Sequence, residues 1–166
     1  MPLERFSASW RESYVREATA NERNGDSNDC VFCSLLGEGV SESSGVFVVT
    51  EHSFGILNAY PYGSGHVLVL PRRHTGDLNS LLDDEANDFF SLLRRTTAAL
   101  QRAYSPDGLN VGFNLGRAAG AGIPSHLHAH ALPRWSGDTN FMTSLAETRV
   151  LPESLTQTWQ KISREI

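Results

Sequence analysis

The chain has 166 residues, with 14 Lys and Arg against 19 Asp and Glu and a formal net charge of −5. That length holds one domain with a real core and is short for two, and the acid excess argues against general affinity for nucleic-acid polymer or anionic membrane, which draws on clustered cations. No apolar run nears the roughly 20 residues of a membrane span and Met1-Pro2-Leu3-Glu4-Arg5 lacks a signal pattern, so the expected address is the cytoplasm and any anionic substrate must be gripped locally.

Residues 1–29 read as an N-terminal arm and 30–166 as a single domain. In the arm, Trp10 and Tyr14 have helical spacing that favours ordinary packing, and Asn21 to Asp29 is polar and turn-rich. Cys30 and Cys33 are the only cysteines. Their C-x-x-C spacing fits a redox pair, half of a zinc site, or two buried thiols with no role. A serine-rich turn, Ser41 to Gly45, leads into a strand at Val46 to Val49; a break at Ser53 and a second strand, Phe54 to Tyr60, follow. After the turn Pro61 to Gly65 comes a third strand, His66 to Leu70, ended by Pro71.

Ala86, Phe89, Phe90, Leu93, Thr97, Leu100 and Tyr104 repeat at helical spacing behind Asp83, Asp84 and Glu85, acids that suit a helix N-terminus. This predicts the one long helix. Pro106-Asp107-Gly108 turns the chain into a fourth strand, Leu109 to Asn114, and the tail from Pro152 carries Leu155, Trp159 and Ile162 on one face of a terminal helix. Strands in hairpins with one main helix and a C-terminal helix predict an α+β domain around a largely antiparallel sheet of about five strands.

The fifth strand carries the chemistry. In Ser125-His126-Leu127-His128-Ala129-His130-Ala131-Leu132, three histidines alternate with apolar residues, so a strand presents all three imidazoles on one face and Leu127, Ala129 and Ala131 toward a core. On an extended strand the Cα atoms of His126 and His130 stand roughly 13 Å apart. One metal with bonds of about 2.0–2.1 Å to nitrogen does not comfortably take all three rings, so the histidines divide the labour. A neutral imidazole whose far nitrogen is tied to a carbonyl can attack phosphorus with the near one.

The stretch His126 to Leu132, with Pro133 and Arg134, resembles the histidine-triad (HIT) family, which transfers or hydrolyses nucleotides through a covalent nucleotidyl-histidine. Ile56 to Pro71 is similar to the family's nucleoside-binding hairpin, and Asn114-Leu115-Gly116 with Ala119-Gly120 to the loop before its triad. The segment Gly108 to Phe141 resembles a bacterial branch that includes diadenosine tetraphosphate phosphorylases. The resemblance implies His128 as nucleophile and His130 as the residue serving the phosphate and leaving oxygen. It implies Asn58 on the ribose and Asn114 on the phosphates, with Gly116, Gly120 and Gly122 letting backbone amides approach the anion. Many relatives place a Gln and a Ser or Thr shortly before the triad; here Ser125 directly precedes His126, and backbone amides are expected in place of the usual side-chain contact. Structural zinc is implied at Cys30, Cys33, His74 and His126, with no metal at phosphorus and no organic cofactor.

His66 reads as a structural histidine at a strand start more than as a cleft residue. Arg134 and Trp135 suit a phosphate, a base or an interface. The expected function is a nucleotidyl transferase or hydrolase acting at the α-phosphorus of a dinucleoside polyphosphate, as a phosphorylase or a hydrolase, in a homodimer paired through its sheets. A nucleoside phosphoramidase and a non-catalytic nucleotide-binding module are the alternatives.

Overall fold

Apolar runs broken by turn residues over residues 46–71 become β1 (Val46–Val49), β2 (Ser53–Leu57) and β3 (Val67–Pro71) in the computed structural model, which describes residues 30–139 and 153–166. The N-terminal arm, with Trp10 and Tyr14, and the end of the bacterial-branch segment at Asn140-Phe141 lie outside the described residues. β4 (Gly108–Phe113) and β5 (Ala129–Arg134) complete an antiparallel sheet in the order β1-β2-β3-β5-β4. Among the described residues three α-helices accompany it: α1 (Val31–Glu38), α2 (Asp83–Tyr104) and α3 (Leu155–Glu165). The expected α+β architecture is present, and α1 is an addition to the two helices foreseen.

β2 and β3 are buried at every position because helices cover both faces of the sheet. On one face Phe54, Ile56, Leu68 and Leu70 pack with Phe32 and Cys30 at the start of α1. On the other, Phe47, Leu57, Val67 and Ala131 pack with Leu100 of α2 and Ile162 of α3, while Val69 and Ala129 meet Phe89, Leu92 and Leu93. Each such fully buried large apolar side chain contributes about 1.5–3 kcal/mol.

The α2 repeat holds with one correction. Its buried stripe is Phe89, Leu92, Leu93, Thr96, Ala99 and Leu100, whereas Phe90 is 48% exposed. Phe90 lies about 100° round the helix from Phe89 and falls outside the stripe; it meets Phe113 edge-on at 6.4 Å. Glu85 ties α2 to the turn after β3: its carboxylate accepts from Leu82 N–H at 2.9 Å and from the Arg73 guanidinium through two bonds of 2.7 Å. α3 starts on a reciprocal cap between Ser154 and Gln157 and is pinned by Trp159, whose indole N–H donates to the Val46 carbonyl at 3.1 Å.

The triad strand is shorter than its alternation suggested. β5 begins at Ala129, and the chain before it leaves the ladder. β3 ends at Pro71, which has no N–H to offer, and Leu127 N–H donates to the Thr75 carbonyl at 2.6 Å instead. Phe32 nevertheless lies 5.7 Å from the His126 ring and 5.5 Å from the His128 ring, and His130 pairs with Leu68 of the cluster that contains Phe32, so the three share a face.

Candidate active site and metal cluster

His126 is fully buried and turned toward the start of α1. Its Nε2 stands 2.9 Å from the Pro71 carbonyl. A carbonyl only accepts, so Nε2 carries the proton and Nδ1 is left with its lone pair. That lone pair faces two sulfurs, Cys30 Sγ at 3.4 Å and Cys33 Sγ at 3.6 Å, and His74 Nδ1 stands 3.5 Å from Cys33 Sγ. Bonds of about 2.3 Å to sulfur and 2.0–2.1 Å to nitrogen at tetrahedral angles separate neighbouring S and N ligands by roughly 3.6 Å. These three S···N separations therefore match the edges of a tetrahedral S2N2 site, and all four ligand atoms lie within 4.8 Å of one another.

Burial, aided by His74 and His128, pushes the His126 ring down to about 4, which keeps it a neutral ligand. Burial and the adjacent Cys30 push the Cys33 thiol up to about 12, so metal binding there must displace its proton. The Pro71 carbonyl behind His126 is the outer partner that metal-binding histidines ordinarily have.

The main chain of His126 serves its neighbour. The His126 carbonyl lies 2.8 Å from His128 Nδ1, so Nδ1 donates and Nε2 carries the lone pair of a nucleophile. His128 is buried but for 7% of its surface. The ring of His130 lies 5.2 Å from that of His128, tilted by 67°. Directly across the sheet from His130 is Gly112; a Cβ there would meet nothing within 4 Å, which leaves open space beside the two rings. Asn114 directly follows Phe113, the last residue of β4, and His128 directly precedes Ala129, the partner of Phe113 on β5.

Gly120 and Gly122 lie in the loop from β4 to the triad, where Gly116 (φ +79°) and Gly120 (φ +91°) flank a short turn over Arg117–Ala119. Buried Ala121 and Ile123 anchor this loop, and Ser125 leads from it into His126. Gly76 lets it approach: a Cβ at Gly76 would run into the Pro124 carbonyl oxygen. Asn58 accepts from Tyr60 N–H at 2.9 Å and turns its Nδ2 toward His66. Arg134 is held at the far end of β5 by Asp138 and Asn110, and Trp135 meets Tyr104 edge-on at 6.1 Å. Sequence reasoning undervalued two neighbours of the triad. His66 Nε2 lies 3.0 Å from His130 Nδ1, and the Tyr62 ring stacks on His130 at 6.0 Å and 17°. A histidine one residue before a strand that pairs with the triad strand was the available signal.

Residues 41–137 match the model of the HIT domain. The chain belongs to the HIT family. It is 31% identical over 165 residues, 98% of its own length and 84% of the relative's, to the AP-4-A phosphorylase of Mycobacterium tuberculosis. It is 35% identical over 95 residues to the asymmetrical bis(5'-nucleosyl)-tetraphosphatase of Schizosaccharomyces pombe, covering 57% of this chain and 52% of the relative. Among solved structures, a Zn-bound histidine triad family protein from Mycobacterium smegmatis superposes with a TM-score of 0.66 at 27% identity, over 84% of this chain and 94% of that one. Among the described residues no helix is long and apolar enough to cross a membrane.

Proposed function

We propose that this HIT protein attacks the α-phosphorus of a dinucleoside polyphosphate with Nε2 of His128 and passes the nucleotide to phosphate or water. The observation that carries the reading is the orientation of His128, whose Nδ1–H is fixed on the His126 carbonyl at 2.8 Å. The near full-length similarity to an AP-4-A phosphorylase supports the substrate class. In the first step a bond forms from Nε2 to phosphorus, the phosphoanhydride P–O bond breaks, and the nucleoside polyphosphate departs with the electron pair. In the second, an oxygen of phosphate or water bonds to the same phosphorus, the Nε2–P bond breaks with its electron pair returning to His128, and the proton of an attacking water is released to solvent. Asn58, Asn114, Gly120, Gly122 and Ser125 are assigned to the nucleotide, and His130 to its phosphate and leaving oxygen.

Cys30, Cys33, His74 and His126 fit zinc by donor type and spacing. Bound zinc would supply a cross-link between α1, the turn after β3 and the triad. The open edge of the sheet supports a homodimer: β4 is a terminal strand, and Val111 on it is 46% exposed. Product analysis with diadenosine tetraphosphate tests the acceptor. Phosphorolysis yields a nucleoside diphosphate with a triphosphate, and hydrolysis yields a monophosphate with a triphosphate. Absence of both product sets overturns the reading.

A further inference from the structure

The expected structural histidine, His66, is 1% exposed and sits between a fixed donor and the third triad histidine. Tyr62 N–H points at His66 Nδ1 over 3.0 Å. A backbone N–H only donates, so Nδ1 must accept. Asn58 Nδ2, identified by the Tyr60 N–H that its Oδ1 accepts at 2.9 Å, stands 3.3 Å from His66 Nδ1 and 3.4 Å from Nε2 and favours neither, so the Tyr62 N–H decides. With Nδ1 accepting, the neutral ring carries its proton on Nε2, and Nε2 is 3.0 Å from His130 Nδ1. That nitrogen must then accept in turn, which leaves the proton of His130 on its own Nε2. The Tyr62 ring lies against both imidazoles, 4.6 Å from His66 and 6.0 Å from His130, and holds their planes.

We propose that His66 is a positioning residue that sets the tautomer of His130, so that His130 presents an N–H donor rather than a lone pair beside His128. The inference rests on the reading of His128 as nucleophile. As the bond from His128 Nε2 to phosphorus forms and the P–O bond breaks, the electron pair stays on the departing oxygen. That oxygen leaves as an anion stabilised by the His130 N–H, and no proton changes hands. With the other tautomer a lone pair would meet the developing negative charge. Without His66 the proton distributes over both nitrogens of His130, so part of the protein carries the wrong form.

The test uses the full chain labelled with 15N in its histidines, and long-range proton–nitrogen spectra of the substrate-free protein. The expected result is an unprotonated Nδ1 on His130 in the natural protein and a rise of the Nδ1–H form in His66→Leu. His66→Gln, whose amide N–H reaches the position of Nε2, restores the original pattern. With diadenosine tetraphosphate, His66→Leu should lower kcat about 100-fold, the scale of losing one donor to a developing anion, with KM nearly unchanged. With adenosine monophosphate p-nitrophenyl ester, whose leaving group needs less help, the loss should fall below about tenfold. His130 protonated on Nδ1 in the natural protein overturns the proposal, as does a His130 spectrum unmoved by His66→Leu. The first of these needs no variant to fold. Failure of the nucleotidyl-histidine reading is separate: it shows as no adduct on His128 during turnover, whatever the tautomer of His130.

Discussion

Gly112→Val should make the protein more stable and less active. Gly112 pairs with His130 across β4 and β5, and residues directly opposite share a face with Cβ atoms about 4.5–5.5 Å apart. A Cβ at Gly112 meets nothing within 4 Å, so valine enters without a clash. A strand-interior glycine is roughly 0.5–1 kcal/mol worse than alanine, and a β-branched residue favours the strand further. The expected gain is about 1 kcal/mol, which raises Tm by about 2–4 °C in a chain of this size. The two added methyl groups occupy the space beside the His128 and His130 rings. A substrate displaced there by about 1 Å loses on the order of 100-fold in rate. Thermal melts and steady-state hydrolysis of diadenosine tetraphosphate on the same preparations read both effects. Full activity in a stabilised Gly112→Val protein would show that this space is not the substrate's.

Arg73 holds the Glu85 carboxyl down to about 2 from 4.5, with help from Leu82 N–H and against the cost of burial. The lowered value means a stabilisation that is complete above pH 4.5 and disappears as the pH falls toward 2. Because Arg73 is 42% exposed and screened by solvent, Glu85→Gln should cost about 1–2 kcal/mol at pH 7. The difference from the natural protein should close near pH 2 in urea melts, and a gap independent of pH would refute the pairing. Chelation of the metal-loaded protein should lower Tm by at least about 5 °C, and Cys33→Ser should abolish that response; an unchanged melting curve would deny metal at this cluster. Val111→Lys should shift the sedimenting species from dimer to monomer, and a dimer that persists would place the interface elsewhere.

Apolar runs broken by turn residues located β1, β2 and β3, the last two buried at every position, and alternation located β4 and β5. The α2 repeat located its helix, with Phe90 misplaced because an aromatic beside Phe89 matches the repeat equally well until the sheet is present. α1 stayed hidden under the C-x-x-C motif, although Phe32, Leu35 and Leu36 at helical spacing and Gly39 just past the end, at φ +79°, form a helix signature. The histidine alternation identified the triad but overstated its strand, because the bonds that pull His126 and Leu127 off the ladder come from Pro71 and Thr75 far away in sequence. The Cys30, Cys33, His74 and His126 set required the family resemblance, and the structure brings all four together. The link from His66 to His130 was beyond local pattern, since a tautomer depends on which donors converge in space.

The most direct measurement quenches the enzyme during turnover of diadenosine tetraphosphate and maps the modified peptide by mass spectrometry. One nucleotidyl group should appear on His128, and His128→Ala should show neither adduct nor turnover. Undiminished turnover in His128→Ala, or an adduct on His130 in its place, would contradict the assignment of His128 as the attacking residue.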